Sequence, residues 1–273
     1  MESQVRREPS GLGVATMESP RPSIHEAMRK LFFLQTMELG KLHKQIPNPN
    51  DTNSLFDWYL REKFRQVAEE ARELDKKRGE KMSRRDGPEM RITGKVFSDL
   101  CYFYIALTKP HPGILFDQKR TFKVFHEQLF PKAEVNEYPL GQSSLRDHYV
   151  PDSIVVERTK GAEFVVTQAH EYTMVTKVTG VREVTGMNRS KIFEEKSNLF
   201  EGQKQDPEAA DGASELLANA ELTFYIPKIN PSSPPDVVGE FPVEQVPFLR
   251  SDIIKFVDKN LPGFIVRHNK LRM

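Results

Sequence analysis

A single cysteine, Cys101, in 273 residues leaves no internal disulfide to form, so nothing in the composition asks for an oxidising compartment. Apolar runs are short as well: none reaches the ~18 residues that would cross a bilayer. The first residues are basic and rich in Ser and Pro, without the apolar stretch of roughly 7–15 residues that a secretory signal carries, and a cytoplasmic chain is the expectation. Net charge is missing too. Lys and Arg total 40 against 39 for Asp and Glu, so a nucleic-acid or acidic membrane partner must be met by a local patch. There is no Cys and His set spaced for zinc, no Gly-rich phosphate loop, no G-x-S-x-G elbow and no internal repeat.

What is present is enough chain for a real core, with one full domain and an accessory part. Residues 1–23 read as disordered, for want of apolar content. Residues 24–89 read as a helical N-terminal region. In "SIHEAMRKLFFLQTMELGKLHKQI" Ser23 is placed to cap, and Met28, Phe32, Leu39 and Leu42 fall on one stripe. A second helical run from about Ser54 carries Phe56, Trp58, Phe64 and Val67, then turns almost wholly charged. That charge run reads first as a solvated helix face, and second as a basic arm using Lys76, Lys77, Arg78, Lys81, Arg84 and Arg85. Gly87 and Pro88 mark a boundary, and residues 90–273 form the second part.

From Gly94, "GKVFSDLCYFYIAL" places Phe97, Leu100, Cys101, Tyr104 and Ile105 on one helix face, with Asp99 the lone acid. A short apolar run at Ile114–Phe116, a helix in "TFKVFHEQLF" and a loop over 136–147 follow. Then "VPDSIVVERTKGAEFVVTQAHEYTMV" reads as two strands joined by a turn, with carboxylates where buried strands rarely hold them. By strict alternation Phe164, Val166, Gln168, His170 and Tyr172 share one face, and Val165, Thr167, Ala169, Glu171 and Thr173 the other. Asp152 opens the first strand just after Pro151, where a kink or bulge aims its carboxylate at the same place as Glu171. Two carboxylates that converge repel each other unless a cation lies between them, and oxygen-only ligation suits Mg²⁺. The plainer reading has Asp152 capping a turn and Glu171 in solvent. His170 faces away from Glu171 and reads as a structural histidine, while His148 lies closer in sequence to Asp152.

The order of elements is helix, short strand, Pro-Asp strand, Glu strand, Lys-bearing helix over about 187–200, and the strand "LTFYIPKI". It resembles the PD-(D/E)XK nuclease superfamily over residues 91–261. The segments "GKVFSDLCYFYIAL", "GQSSLRDHYVPDSIVVE", "HEYTMV", "LTFYIPKI" and "VEQVPFLRSDIIKFV" are similar to those of uncharacterised bacterial members. The resemblance implies an α/β domain of restriction-endonuclease-like architecture, a mixed sheet flanked by helices, behind the helical N-terminal region. It implies that Asp152 and Glu171 hold Mg²⁺, with Asp99 completing the coordination directly or through water, and that the substrate is DNA.

The family's motif lysine is absent, because Thr173 stands in its place. In "MNRSKIFEEKSNLF" Lys196 lies on the stripe of Ile192, Phe193, Leu199 and Phe200, whereas Lys191 pairs naturally with Glu195 on the outer face. Lys196 either carries its ammonium to the rim or reaches over the sheet to Glu171 and restores the missing charge. Asp152, Glu171 and Lys196 are then the catalytic set of a Mg²⁺-dependent DNA phosphodiesterase. The alternative is an inactive nuclease fold that binds nucleic acid or protein. "EGQKQDPEAADGASE" reads as a loop, and "NPSSPPD" as a rigid connection to the last strand and helix.

Overall fold

The computed structural model describes residues 23–46, 48–78, 88–131, 149–161, 163–174, 189–206, 209–228 and 241–261. Helix α1 (Ile24–Gln45) begins where expected, with the Ser23 hydroxyl accepting from the Glu26 N–H at 3.3 Å. Ser23 therefore belongs to the first helix rather than to the segment before it. Helix α2 (Thr52–Glu62) is capped by Asp51, whose carboxylate accepts from the N–H groups of Asn53 and Ser54. The second helical run is in fact two helices, since the chain leaves helical geometry at Lys63 before α3 (Phe64–Arg78). The side chains of the basic run over 76–85 lie outside the described residues.

Helix α4 (Pro88–Thr108) starts six residues before Gly94, with Pro88 in its first turn, where a missing N–H costs nothing. Of the expected stripe, Phe97, Leu100, Cys101 and Ile105 are wholly enclosed, while Tyr104 is only half-buried at its edge. Strand β1 (Ile114–Phe116) follows, then α5 (Gln118–Lys123), which widens into a π-helical segment (Val124–Leu129). The Pro-Asp and Glu strands are β2 (Ser153–Arg158) and β3 (Phe164–Tyr172). Helix α6 (Arg189–Gln203) and short α7 (Ala213–Leu217) lead to β4 (Glu221–Lys228); β5 (Val243–Leu249) runs straight into α8 (Arg250–Asn260). The stretch read as a loop over 201–215 thus contains the end of α6 and the start of α7. The connection "NPSSPPD", the loop over 136–147 and His148 lie outside the described residues.

The fold is mixed α/β. Five strands form one sheet in chain order, β1 to β5; β1, β2 and β3 pair antiparallel, and β3, β4 and β5 pair parallel. The parallel step from β3 to β4 needs a crossover, and α6 and α7 lie on that connection. One face of the sheet, through Val155, Tyr172, Tyr225, Val246 and Phe248, packs on α2, α3, α4 and α8. The other, through Ile154, Val156, Phe164, Val166, Ala169 and Phe224, packs on Met28 of α1, the π-helical segment, α6 and α7. The helices of residues 24–89 therefore share their cores with the sheet domain. Leu55, Trp58 and Tyr59 of α2 lie in the same cluster as Phe97, Phe248 and Ile253.

Strict alternation along β3 fails at one residue. Val155 pairs with Gln168 and Val156 with Val166, so Thr167 has no partner and forms a bulge. Because one extra residue inverts parity, Phe164 and Val166 share a face with Ala169 and Glu171 rather than with His170 and Tyr172. That correction puts Glu171 under α6.

Two glycines test the packing with opposite signs. A Cβ on Gly113 would lie 2.2 Å from the carbonyl oxygen of Val156, whereas Gly94, inside α4, has nothing within 4 Å. Gly113→Ala is expected to destabilise the protein by about 1–3 kcal/mol through overpacking against backbone. Gly94→Ala should stabilise it by about 0.5–1 kcal/mol through helix propensity. Urea midpoints of the two variants check both signs, and a Gly113→Ala midpoint equal to wild type would contradict the close approach of β1 to β2.

Candidate functional site

Glu171 sits one residue before the end of β3, and the Thr167 bulge turns it toward α6. It is buried, at 6 % exposure, which an unpartnered carboxylate would not tolerate. Both oxygens are engaged. Oε1 receives the Lys196 ammonium, and Oε2 accepts a 2.5 Å hydrogen bond from the Tyr149 hydroxyl. Lys196 arrives because Phe193 and Phe200, three before it and four after it, are fully buried against the sheet and fix that stripe of α6 inward. Its ammonium also lies 5.9 Å from the centre of the Tyr149 ring. The rim alternative for Lys196 is thus not taken. Loss of water works against its charge, but Glu171 first and Asp152 second outweigh that loss, and its pKa moves upward. The side chains of Lys191 and Ile192 lie outside the described residues.

Asp152 reaches the same place from the start of β2. Its Oδ2 accepts the Tyr172 backbone N–H at 2.8 Å, tying it across to the end of β3. Burial, then the Glu171 charge beside it, push its carboxyl from the ordinary 3.8 up to about 7. Lys196, the Tyr172 N–H and Lys95 pull the other way without prevailing. The turn-capping and solvent-facing alternatives do not describe these two acids. They form a carboxylate pair short of positive charge.

Asp99 is occupied differently. On α4 it accepts from Lys95, one turn earlier, at 2.5 Å on Oδ1, and from the Tyr59 hydroxyl at 2.8 Å on Oδ2. Lys95 also donates to Gln118 at 3.0 Å, and its electrostatic neighbours include Asp152 as well as Asp99. Among the described residues no three His, Cys, Asp or Glu side chains converge on a point that could hold a metal ion. The structure therefore does not bring Asp99 into one ligand set with Asp152 and Glu171, and the two Asp99 oxygens are taken by Lys95 and Tyr59. Thr173, two residues after Glu171, is half-buried, and its backbone N–H donates to the Tyr225 carbonyl at 3.0 Å.

On the opposite face of β3, His170 is a buried structural residue. Its Nδ1 lies 3.3 Å from the Ser153 hydroxyl, and its ring packs edge-on to Tyr225. Burial, then His111 and Lys109, push its pKa down to about 3. Sequence reasoning missed Tyr149 and Lys95. Lys95 carried a visible signal, being four residues before Asp99 on one helix face. Tyr149 carried none beyond lying three residues before Asp152.

No family model, curated protein or solved structure matches this chain. No helix among the described residues is long and apolar enough to cross a membrane.

The raised Asp152 pKa gives a signed prediction. The folded protein holds a proton at Asp152 up to about pH 7, while the unfolded chain releases it near 3.8. The folding advantage of the protonated acid is fully present below about pH 3.8 and is lost as pH rises through about 7. Asp152→Asn mimics the protonated form and keeps the acceptor for Tyr172. It should raise the melting temperature by several degrees at pH 8 and leave it near wild type at pH 3.5. His170 acts in the reverse sense, losing stability as pH falls from 6.5 toward about 3, but it is common to both proteins and cancels in the difference. A destabilised Asp152→Asn at pH 8 would show that Asp152 is adequately paired.

Proposed function

We propose that this chain is a Mg²⁺-dependent DNA phosphodiesterase of PD-(D/E)XK type, with Asp152, Glu171 and Lys196 as its working residues. The observation that carries the reading is the Lys196–Glu171 ion pair, because it supplies from α6 the cation that Thr173, just past the end of β3, cannot supply. The antiparallel β1–β2–β3 meander, followed by a helix and a parallel β4, supports it at the level of architecture.

The donor chemistry fits Mg²⁺. The pair offers oxygen only, and this ion takes one or two carboxylates while keeping most of its water. A carboxyl raised to about 7 beside a second carboxylate is also a pair that gains from an added cation. Asp152 and Glu171 would hold the ion, with Asp99 outside the direct ligands. Bound there, Mg²⁺ supplies a water of lowered pKa and polarises the phosphate. The protein's own groups do the rest. Tyr149 fixes the Glu171 carboxylate through Oε2, Glu171 holds the Lys196 ammonium through Oε1, and that ammonium offsets charge gathering on the phosphate. Thr173 favours a second reading, an inactive fold that binds nucleic acid or protein.

The experiment is incubation of duplex and single-stranded DNA with the protein in Mg²⁺ or Mn²⁺. Wild type is expected to cleave. Lys196→Met should cut about a hundredfold more slowly, corresponding to roughly 3 kcal/mol of transition-state stabilisation, while retaining Mn²⁺ binding by calorimetry. Asp152→Asn should lose both cleavage and Mn²⁺ binding. Lys255→Met, on the exposed side of α8, serves as the control and should match wild type. No cleavage by wild type with either metal would leave the binding-module reading in its place.

A further inference from the structure

We propose that Asp99 is a positioning residue, and that it holds Lys95 as a second cation that contacts a phosphate of the DNA strand. The inference rests on the nuclease reading of the site and assigns it a residue that neither the motif nor the spacing of the acids supplies.

The geometry of α4 carries it. Lys95 and Asp99 are one turn apart and joined at 2.5 Å, at the i, i+4 spacing where helix side chains meet. Two further groups stiffen it. The Tyr59 hydroxyl, from fully buried Tyr59 on α2, pins Asp99 Oδ2, and Gln118 at the start of α5 accepts from the ammonium at 3.0 Å. A lysine has three N–H donors, and Asp99 and Gln118 account for two. The Lys95 side chain is 24 % exposed, so it is not sealed from solvent. Fixing an ammonium with three separate elements is more than a surface ion pair requires.

Its placement is equally specific. α4 and α6 pack on opposite faces of the sheet, and a lysine from each acts electrostatically on Asp152, which immediately precedes β2. Lys196 comes from the α6 side, where it pairs with Glu171, and Lys95 from the α4 side, where it pairs with Asp99. With Asp152 ionised, Asp99, Asp152 and Glu171 against Lys95 and Lys196 leave one negative charge, and a divalent cation would change that to one positive. A phosphodiester carries one negative charge, which makes the loaded site complementary to it. Were Asp99 a metal ligand, its carboxylate would have to give up Lys95 and Tyr59.

The test uses the full-length protein and a fluorescent duplex, with anisotropy as readout over a range of salt in Ca²⁺, and Mn²⁺ calorimetry beside it. Lys95→Met is expected to weaken DNA binding about tenfold at 0.1 M salt, to matter little near 1 M, and to lower the salt slope by about one. Lys95→Arg should restore the slope, which a merely structural role would not predict. Asp99→Asn should reproduce the Lys95→Met loss with Mn²⁺ affinity unchanged, and the double variant should be no worse than either single one. A weakened Mn²⁺ affinity in Asp99→Asn would make Asp99 a ligand and overturn the proposal. So would an unchanged salt slope in Lys95→Met while wild type binds both DNA and Mn²⁺. A wild type that binds neither defeats the nuclease reading itself, and this inference with it.

Discussion

Everything at the candidate site follows from a carboxylate buried where water cannot reach it. Glu171 is 6 % exposed and has a second acid, Asp152, beside it, an arrangement that by itself would drive the strand ends apart. The Lys196 ammonium on one oxygen and the Tyr149 hydroxyl on the other make it tolerable. Those two partners in turn set what must pack around them. α6 has to lie with Phe193 and Phe200 against the sheet, and Tyr149 has to sit edge-on to Phe200 to aim its hydroxyl. The apolar core on that side is thus arranged to deliver polar groups to a single point.

The compensation is incomplete, and the deficit is localised. Asp152 keeps one good hydrogen bond, from the Tyr172 N–H, yet its carboxyl still rises to about 7. A protein with only stability to serve would place Asn there. Retaining the acid leaves a strained carboxyl between the Glu171 charge and the influence of two lysines, which is the feature the proposed reading builds on.

How much of this the sequence revealed depends on whether the signal was local. Helix α1 with its Ser23 cap, the buried stripe of α4 and the inward position of Lys196 all follow from a 3.6-residue period, and the structure has them. Asp152 and Glu171 were legible as a pair because Pro-Asp and an acid within an apolar strand are both unusual in place. The face of Glu171 relative to Phe164 was not, since one unpaired residue, Thr167, inverts the alternation and nothing in "FVVTQAHEY" marks it. Asp99 was read by its charge alone. Its meaning lies in Lys95, Tyr59 and Gln118, and two of those three come from other elements that only the tertiary fold assembles.

That the cation on Glu171 comes from a helix and not from the same strand has a consequence of its own. A lysine two residues after Glu171 on β3 would share that strand's backbone, so acid and cation would shift together. Lys196 is instead carried by α6, whose position depends on packing rather than on sheet hydrogen bonds, and its distance from Glu171 can change without disturbing the β3 ladder. On the proposed reading, the ion pair then competes with the metal for Glu171. The ammonium neutralises the carboxylate in the structure, and a divalent ion held by Glu171 would share that carboxylate with Lys196, leaving the ammonium freer to face a phosphate. The Phe193 and Phe200 contacts hold the helix in place meanwhile, so that only the side chain beyond its Cβ has to move.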